Sequence, residues 1–217
     1  MIISIDGPAA SGKSITAKLL SKKMGYIHLN SGLIYRAFTY VFLKNNFNSK
    51  DNKKYEEFFK NVNITLSGNA LNVVLYNKEN INKHVYKKNI TENIHNICNN
   101  IVIRKVITNI QRMVAKNKNI VCEGRDIGTV VFPNANYKFF LTSDIKVRVE
   151  RRYNQYLENK IKIKKNIIKD MIIKRDINDI NRKYSPLKKS KNAIVLDTTK
   201  MNIEEQVESI HKMIKGK

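Results

Sequence analysis

The chain opens with a short apolar run, Ile2 to Asp6, closed by glycine and proline. A run of that length before a turn predicts a buried strand. From Lys13 to Met24 apolar positions recur at helical spacing, and Gly25 stands where a helix-ending glycine would stand. Tyr26 to Leu29 predicts a second strand. Ser31, in the N-cap position, then opens a helix through GLIYRAFTYVFLKNN. The texture changes near Asn61. NVNITLSGNALNVVLYNKENINKHVY alternates apolar and polar residues, with breaks at Ser67–Gly68–Asn69 and Asn77–Asn80. That pattern predicts a small β-meander inserted in another rhythm. A long helix is expected over Thr91–Ala115, strands in NIVCEG, NYKFFLT and NAIVLD, and helices over Ile145–Asn159, Ile167–Lys183 and Ile203–Ile214. Strands that alternate with helices predict an α/β fold with a parallel sheet covered on both faces.

Composition narrows the class without choosing a function. The 217 residues fit one domain with inserted pieces, and 42% hydrophobic with 27% charged residues is ordinary for a globular chain. No apolar run reaches bilayer length, and MIISIDGPAASGKS lacks the basic start and long apolar stretch of a signal peptide. Cys98 and Cys122 form neither a disulfide framework nor a metal-ligand spacing, and the four histidines are scattered. The expectation is a cytoplasmic protein with no membrane partner. The net charge of +23 is compatible with nucleic acid or with phosphorylated small molecules. Lysine is spread from Lys13 to Lys217, which reads partly as drift toward Lys and Asn at exposed positions.

Residues Gly7-Pro8-Ala9-Ala10-Ser11-Gly12-Lys13-Ser14 fit G-x-x-x-x-G-K-S, between a predicted strand and a predicted helix. The chemistry needs these types. Gly7 and Gly12 permit backbone angles that turn successive N–H groups into one concavity, and the helix N-terminus adds partial positive charge. Lys13 reaches β- and γ-phosphates, and the Ser14 hydroxyl ligates Mg²⁺. Ile15 completes the ATP-binding stretch.

Three further stretches supply cations. Gly124-Arg125-Asp126 follows the NIVCEG strand, at the strand end where ligands collect in open α/β sheets. NSGLIYR contributes Ser31 and Arg36. RDINDINR places Arg175, Asp179 and Arg182 at i, i+4 and i+7, one face if the helix continues through them. Such pairs also line solvated helix faces, and Asp176 suits an orienting or surface partner. Phosphoryl transfer between two anions needs several cations around the phosphates, and Lys13, Arg36, Arg125, Arg175 and Arg182 would supply them.

IDGPAASGKS, LNSGLIYRA, EGRDIGTVVFPNANYKFFLT, RDINDINRKYSPL, AIVLDTT and IEEQVE, in this order, make the chain resemble the bacterial-type cytidylate kinases, a group of nucleoside monophosphate kinases. The resemblance covers nearly the whole chain. It implies a P-loop core with a five-stranded parallel sheet over residues 1–36, 94–152 and 166–217, a monophosphate-binding insertion over 37–93 and a lid over 153–165. It implies transfer of a phosphoryl group from ATP to CMP or dCMP with Mg²⁺, by a monomer. By the same resemblance Arg36 and Arg125 are ligands of the acceptor phosphate, Arg104 and Asp126 read the cytosine edge, and Arg175, Asp179 and Arg182 surround the CMP sugar, base and phosphates. Lys13, Arg125 and Arg182 are the expected catalytic side chains; Ser31 and Gly124 join the acceptor site. Two positions depart from the family pattern. Asn30 stands where aspartate is usual, and His95 lies near the place of a serine that contacts cytosine.

Two other readings compete. A kinase of the same fold could act on another small acceptor, against which the Arg104 and Asp126 pair argues. A basic nucleic-acid-binding protein is the reading from another class, but the basic residues are diffuse and are not interleaved with aromatics as a stacking platform requires. No specific nucleic-acid partner is expected.

Overall fold

The computed structural model describes residues 1–47, 57–67 and 71–216. Strand β1 (Ile2–Asp6) leads through the glycine-rich loop into helix α1 (Lys13–Met24), then β2 (Ile27–Asn30) and α2 (Ser31–Lys44) follow. β3 (Ile64–Ser67), β4 (Val73–Tyr76) and β5 (Glu79–Asn80) precede three helices: α3 (Asn82–Val85), α4 (Lys88–Cys98) and α5 (Ile101–Ala115). After β6 (Ile120–Gly124) come a π-helical turn at Ile127–Val131, β7 (Tyr137–Thr142), α6 (Ile145–Glu158), α7 (Lys165–Asn181), β8 (Ile194–Asp197) and α8 (Ile203–Lys215).

The main sheet has five parallel strands in the order β2-β6-β1-β7-β8. β1 lies at its centre and β6 is buried at every residue, as continuous apolar runs of a doubly covered sheet should be. The central position matters for chemistry. It sets the carboxyl end of β1, where the glycine-rich loop begins, between the ends of β6 and β7.

The meander is a second, antiparallel sheet of β3, β4 and β5. Its β4–β5 hairpin turns at Asn77 and Lys78, with φ of 50° and 69°, the doubly positive pair of a tight two-residue hairpin. The break expected at Ser67–Gly68–Asn69 falls on residues 68 and 69, outside the described residues. One apolar cluster joins Ile64, Val74 and Tyr76 of this sheet to Leu29, Phe38 and Ile120 of the main core. Phe38 stacks on Phe59 at 5.3 Å between ring centroids. α2 runs unbroken through residues 36 and 37 and α4 through 93 and 94, so neither expected edge of the insertion falls between elements.

Three local expectations are corrected. Asn30, not Ser31, caps α2: its Oδ1 accepts the Leu33 N–H at 3.0 Å, and Ser31 is the first helical residue. Asparagine caps as well as aspartate, so this departure from the family pattern keeps the cap. The single helix expected over Thr91–Ala115 is two, because Asn100 is extended and its side chain caps Val102 and Ile103. α7 ends at Asn181, and Arg182 is extended at φ −62°, ψ 140°. Of the stretch 153–165, residues 153–158 finish α6, Lys165 opens α7, and 159–164 join the two helices.

Candidate active site

The loop after β1 is built as its sequence demands. Gly7 has φ 154°, and a Cβ there would lie 2.2 Å from the carbonyl oxygen of Leu141 on the neighbouring strand. Gly12 has φ 92°, and a Cβ would lie 2.8 Å from Gln206 Oε1. Glycine is required at both. α1 starts at Lys13, so the loop delivers its N–H groups at a helix N-terminus. Ala9 and Ser11 are buried, whereas Pro8 and Ala10 are half-buried and Ile15 points out, 42% exposed.

Lys13 is 5% exposed and its Nζ donates to the Pro8 carbonyl at 2.8 Å. Burial, helped by the positive charges of Arg125 and Arg175, pushes its ammonium well below the ordinary lysine value, with Glu123 opposing. Ser14 Oγ donates to Glu123 Oε1 at 2.9 Å. Glu123 is itself buried at the end of β6. A hydroxyl and a carboxylate side by side are hard oxygen donors of the kind Mg²⁺ takes alongside water and phosphate oxygens. Among the described residues no group of three or more His, Cys, Asp or Glu could hold a metal.

The segment after β6 is clamped from two sides. Asp6, last residue of β1, accepts the N–H groups of Ile127 at 2.9 Å and Gly128 at 2.8 Å. Arg112 on α5 donates to the carbonyls of Val131 at 2.9 Å and Val130 at 3.0 Å. Burial raises the Asp6 carboxyl to about 6 despite the two N–H groups. Gly124, Arg125 and Asp126 lie between the buried strand β6 and this anchored turn. Ser31 is buried close by; its Cβ lies 3.4 Å from where a Gly124 Cβ would be.

A chain of alternating charges follows. Arg104 pairs with Asp126, both 3% exposed. Arg182 NH2 lies 3.5 Å from Asp126 Oδ1, and its NH1 lies 3.6 Å from Asp179 Oδ1. Asp179 Oδ2 accepts from Arg125 Nε at 2.7 Å. Arg104 is fixed further by the Cys98 carbonyl at 3.2 Å, the Ser185 hydroxyl at 3.3 Å and the Tyr35 ring, 5.3 Å below the guanidinium. Burial works against the charge of Asp179, but Arg125 and Arg175 outweigh it and hold the carboxyl below its ordinary value. Arg182 therefore reaches the site by leaving the helix rather than by extending its face: its Nε donates to the Ser185 carbonyl at 2.6 Å. His95 and Arg182 line one cavity of about 180 Å³ with Asn99, Asn178 and Asn181.

Beside this chain lie further cations, for which the pull of Glu123 and Asp179 is outweighed by burial and like charge. Among the described residues Lys13, Arg36, Arg152 and Arg175 form no ion pair. Burial and then Arg125 lower Arg175 to about 10, and Arg152 and Arg36 contribute to the same field. Arg36 is held by the Val85 carbonyl at 3.1 Å, Thr91 Oγ1 at 2.9 Å and the Tyr86 ring. The structure thus brings together Lys13, Ser14, Arg36, Arg104, Arg125, Asp126, Arg175, Asp179 and Arg182. Sequence reasoning placed Glu123 in the arginine-bearing stretch, as an acid the family pattern also has, without giving it a role, and missed Arg152, Asp6 and Arg112 as site or anchoring residues. The paired arginines 151 and 152, next to the expected lid, were the one available signal.

A glycine-rich loop between a central parallel strand and a helix, with cations clustered beside it, defines a P-loop phosphotransferase. The fold agrees: an uncharacterized protein from Eubacterium ventriosum superposes with a TM-score of 0.55 at 13% identity, covering 100% of this chain and 99% of its own. A shikimate kinase from Bacteroides thetaiotaomicron gives 0.50 at 11% identity, covering 99% and 98%. Sequence comparison goes further. The family model for cytidylate kinase matches residues 3–216. A cytidylate kinase from Fusobacterium nucleatum is 41% identical over 214 residues, 99% of this chain and 97% of that one. One from Thermotoga maritima is 39% identical over 214 residues, covering 98% and 96%. The chain belongs to the cytidylate kinase family, ATP-dependent nucleoside monophosphate kinases that phosphorylate CMP or dCMP.

Proposed function

We propose that the pocket performs this transfer with the following division of labour. The backbone N–H groups of the glycine-rich loop and Lys13 hold the β- and γ-phosphates of ATP. Ser14 and Glu123 hold Mg²⁺ through their oxygens; the ion, when bound, neutralises phosphate charge as it develops. Arg36, Arg125 and Arg175 take the acceptor phosphate, joined by Arg152. The Arg104–Asp126 pair presents a fixed donor and acceptor to the base edge, and Asp179 with Arg182 holds the sugar and the neighbouring phosphate. No side chain forms a covalent intermediate: catalysis is positioning plus electrostatic stabilisation by Lys13, Arg125 and Arg182. Residues 159–164, between α6 and α7, act as the lid that excludes water.

One observation carries this reading: Lys13, Arg36, Arg152 and Arg175 lie within one another's electric field, none in an ion pair among the described residues, and Arg125 and Asp179 link them to Arg182 and the buried Arg104–Asp126 pair. Clustered cations next to a polar, water-poor base edge suit a nucleotide monophosphate better than a free sugar or acid. A coupled ADP-release assay with ATP against CMP, dCMP, UMP, AMP, GMP and shikimate tests it. CMP and dCMP are expected to be fastest, and faster turnover of AMP, GMP or shikimate overturns the reading.

The enzyme acts as a cytoplasmic monomer with no specific nucleic-acid partner. Among the described residues no helix is long and apolar enough to cross a membrane. RNA binding, if measured, should be sequence-blind and steeply salt-dependent.

A further inference from the structure

Asp176 stands between Arg175 and Asp179 on α7 but faces away from the acceptor chain of charges, toward the glycine-rich loop. Its Oδ1 accepts the Ala9 N–H at 2.9 Å, a buried bond between residues 167 apart. Its Oδ2 pairs with Arg148 NH1, from α6. The same NH1 donates to the Ala9 carbonyl at 3.2 Å. Both polar groups of one residue are thus gripped by one ion pair. Apolar contacts seal the grip: Ala9 packs with Val149, Ile168 and Ile172.

The position of the grip is informative. The next residue, Ala10, has φ 58°, left-handed for a residue with a Cβ. That conformation is strained in an L-residue and persists only where surroundings hold it. The bend comes three residues before α1 starts at Lys13, and without a partner at Ala9, relaxation of Ala10 would move the N–H groups that follow it.

We infer that Asp176 and Arg148 are positioning residues for ATP: their ion pair clasps Ala9, holds the loop in its phosphate-binding shape, and ties it to the helix that bears the acceptor ligands. This rests on the reading of residues 7–14 as the ATP site.

Direct binding tests it, with ATP·Mg²⁺ and CMP titrated separately by calorimetry, alongside thermal unfolding. Asp176→Ala should weaken ATP binding at least about tenfold and leave CMP binding to the nucleotide-free enzyme within about twofold. Asp176→Asn, which keeps an acceptor for the Ala9 N–H, should recover most of that loss. Arg148→Gln should resemble Asp176→Ala in direction. Unchanged ATP affinity in Asp176→Ala overturns the inference, as does equal weakening of ATP and CMP with a lower Tm, the signature of general destabilisation. Should Asp176→Ala not fold, Asp176→Asn and Arg148→Gln decide by the same ratio: ATP affinity unchanged in Arg148→Gln overturns the clasp. Failure of the unsubstituted enzyme to bind ATP would instead refute the assignment of the ATP site.

Discussion

Arg182 is the sharpest test of the acceptor site because it lies outside the helix that brings it there. Replacing it by alanine removes two ion-pair contacts, at 3.5 Å to Asp126 and 3.6 Å to Asp179, and the 2.6 Å bond to the Ser185 carbonyl. Neither carboxylate is orphaned, since Asp126 keeps Arg104 and Asp179 keeps Arg125. The stability loss should therefore be modest, about 1–2 kcal/mol, below the cost of leaving a buried charge unpaired. Against the nucleotide the loss is larger. A charge-assisted hydrogen bond is worth about 1.5–3 kcal/mol, and each 1.4 kcal/mol is about tenfold, so kcat/KM for CMP should fall roughly 10- to 150-fold. KM for ATP should change less than about threefold. The assay is coupled ADP release with CMP varied at saturating ATP, then ATP varied at saturating CMP. Lys183→Ala is the control: the residue is exposed, beyond the end of α7, with its ammonium 5.5 Å from the centre of the neighbouring Tyr184 ring. Equal, small effects of the two substitutions at unchanged Tm would refute the placement of Arg182 in the acceptor site.

Three further outcomes are expected. Lys13→Ala should leave a folded protein whose kcat is at least about 100- to 1000-fold lower, because an electrostatic contact made in the transition state is worth about 3–4 kcal/mol; circular dichroism and steady-state rates check both halves. Gly7→Ala forces a Cβ to 2.2 Å from the Leu141 carbonyl, an overpacking that should cost about 2–3 kcal/mol and lower Tm by roughly 4–12 °C in a scan; an unchanged Tm would contradict the strand spacing. Asp6 gives a pH signature. Burial raises its carboxyl from 3.8 to about 6, so between those values the native protein keeps a proton that the unfolded chain has lost. The contribution of Asp6 to stability therefore falls as pH rises from about 4 to about 6, by about 3 kcal/mol in total, and is flat above. The difference in urea-unfolding free energy between the unsubstituted protein and Asp6→Asn should decline across that window; a rise would reverse the sign and refute it.

Much of this protein is written locally. The glycine-rich loop was legible because its chemistry is local: Gly7 and Gly12 must take angles that a Cβ forbids, and Lys13 and Ser14 follow at the start of the helix. The hairpin at Asn77–Lys78, the helical period of α1 and the apolar run of β6 are likewise properties of neighbouring residues. The family, and with it the reaction, was legible from motifs that lie in separate stretches but recur in a fixed order.

What the sequence left open depends on which distant residues the fold makes neighbours. RDINDINR suggests one continuous helical face, yet α7 stops at Asn181, and only the pairing of Arg182 with Asp126 and Asp179 shows why leaving the helix serves the site. Asn100 looked like one polar residue in a long helix until its side chain was seen to cap a second one. Asp6 and Ile127 are 121 residues apart, and Ala9 and Asp176 are 167 apart. No periodicity encodes such contacts. They exist because the parallel sheet places β1 between β6 and β7 and gathers the loops beyond its carboxyl edge against α7. Local angles and propensities are fixed by adjacent residues; the partners of buried charges are fixed by topology, because a charge withdrawn from water is tolerated only where the fold supplies its counter-ion or hydrogen bonds.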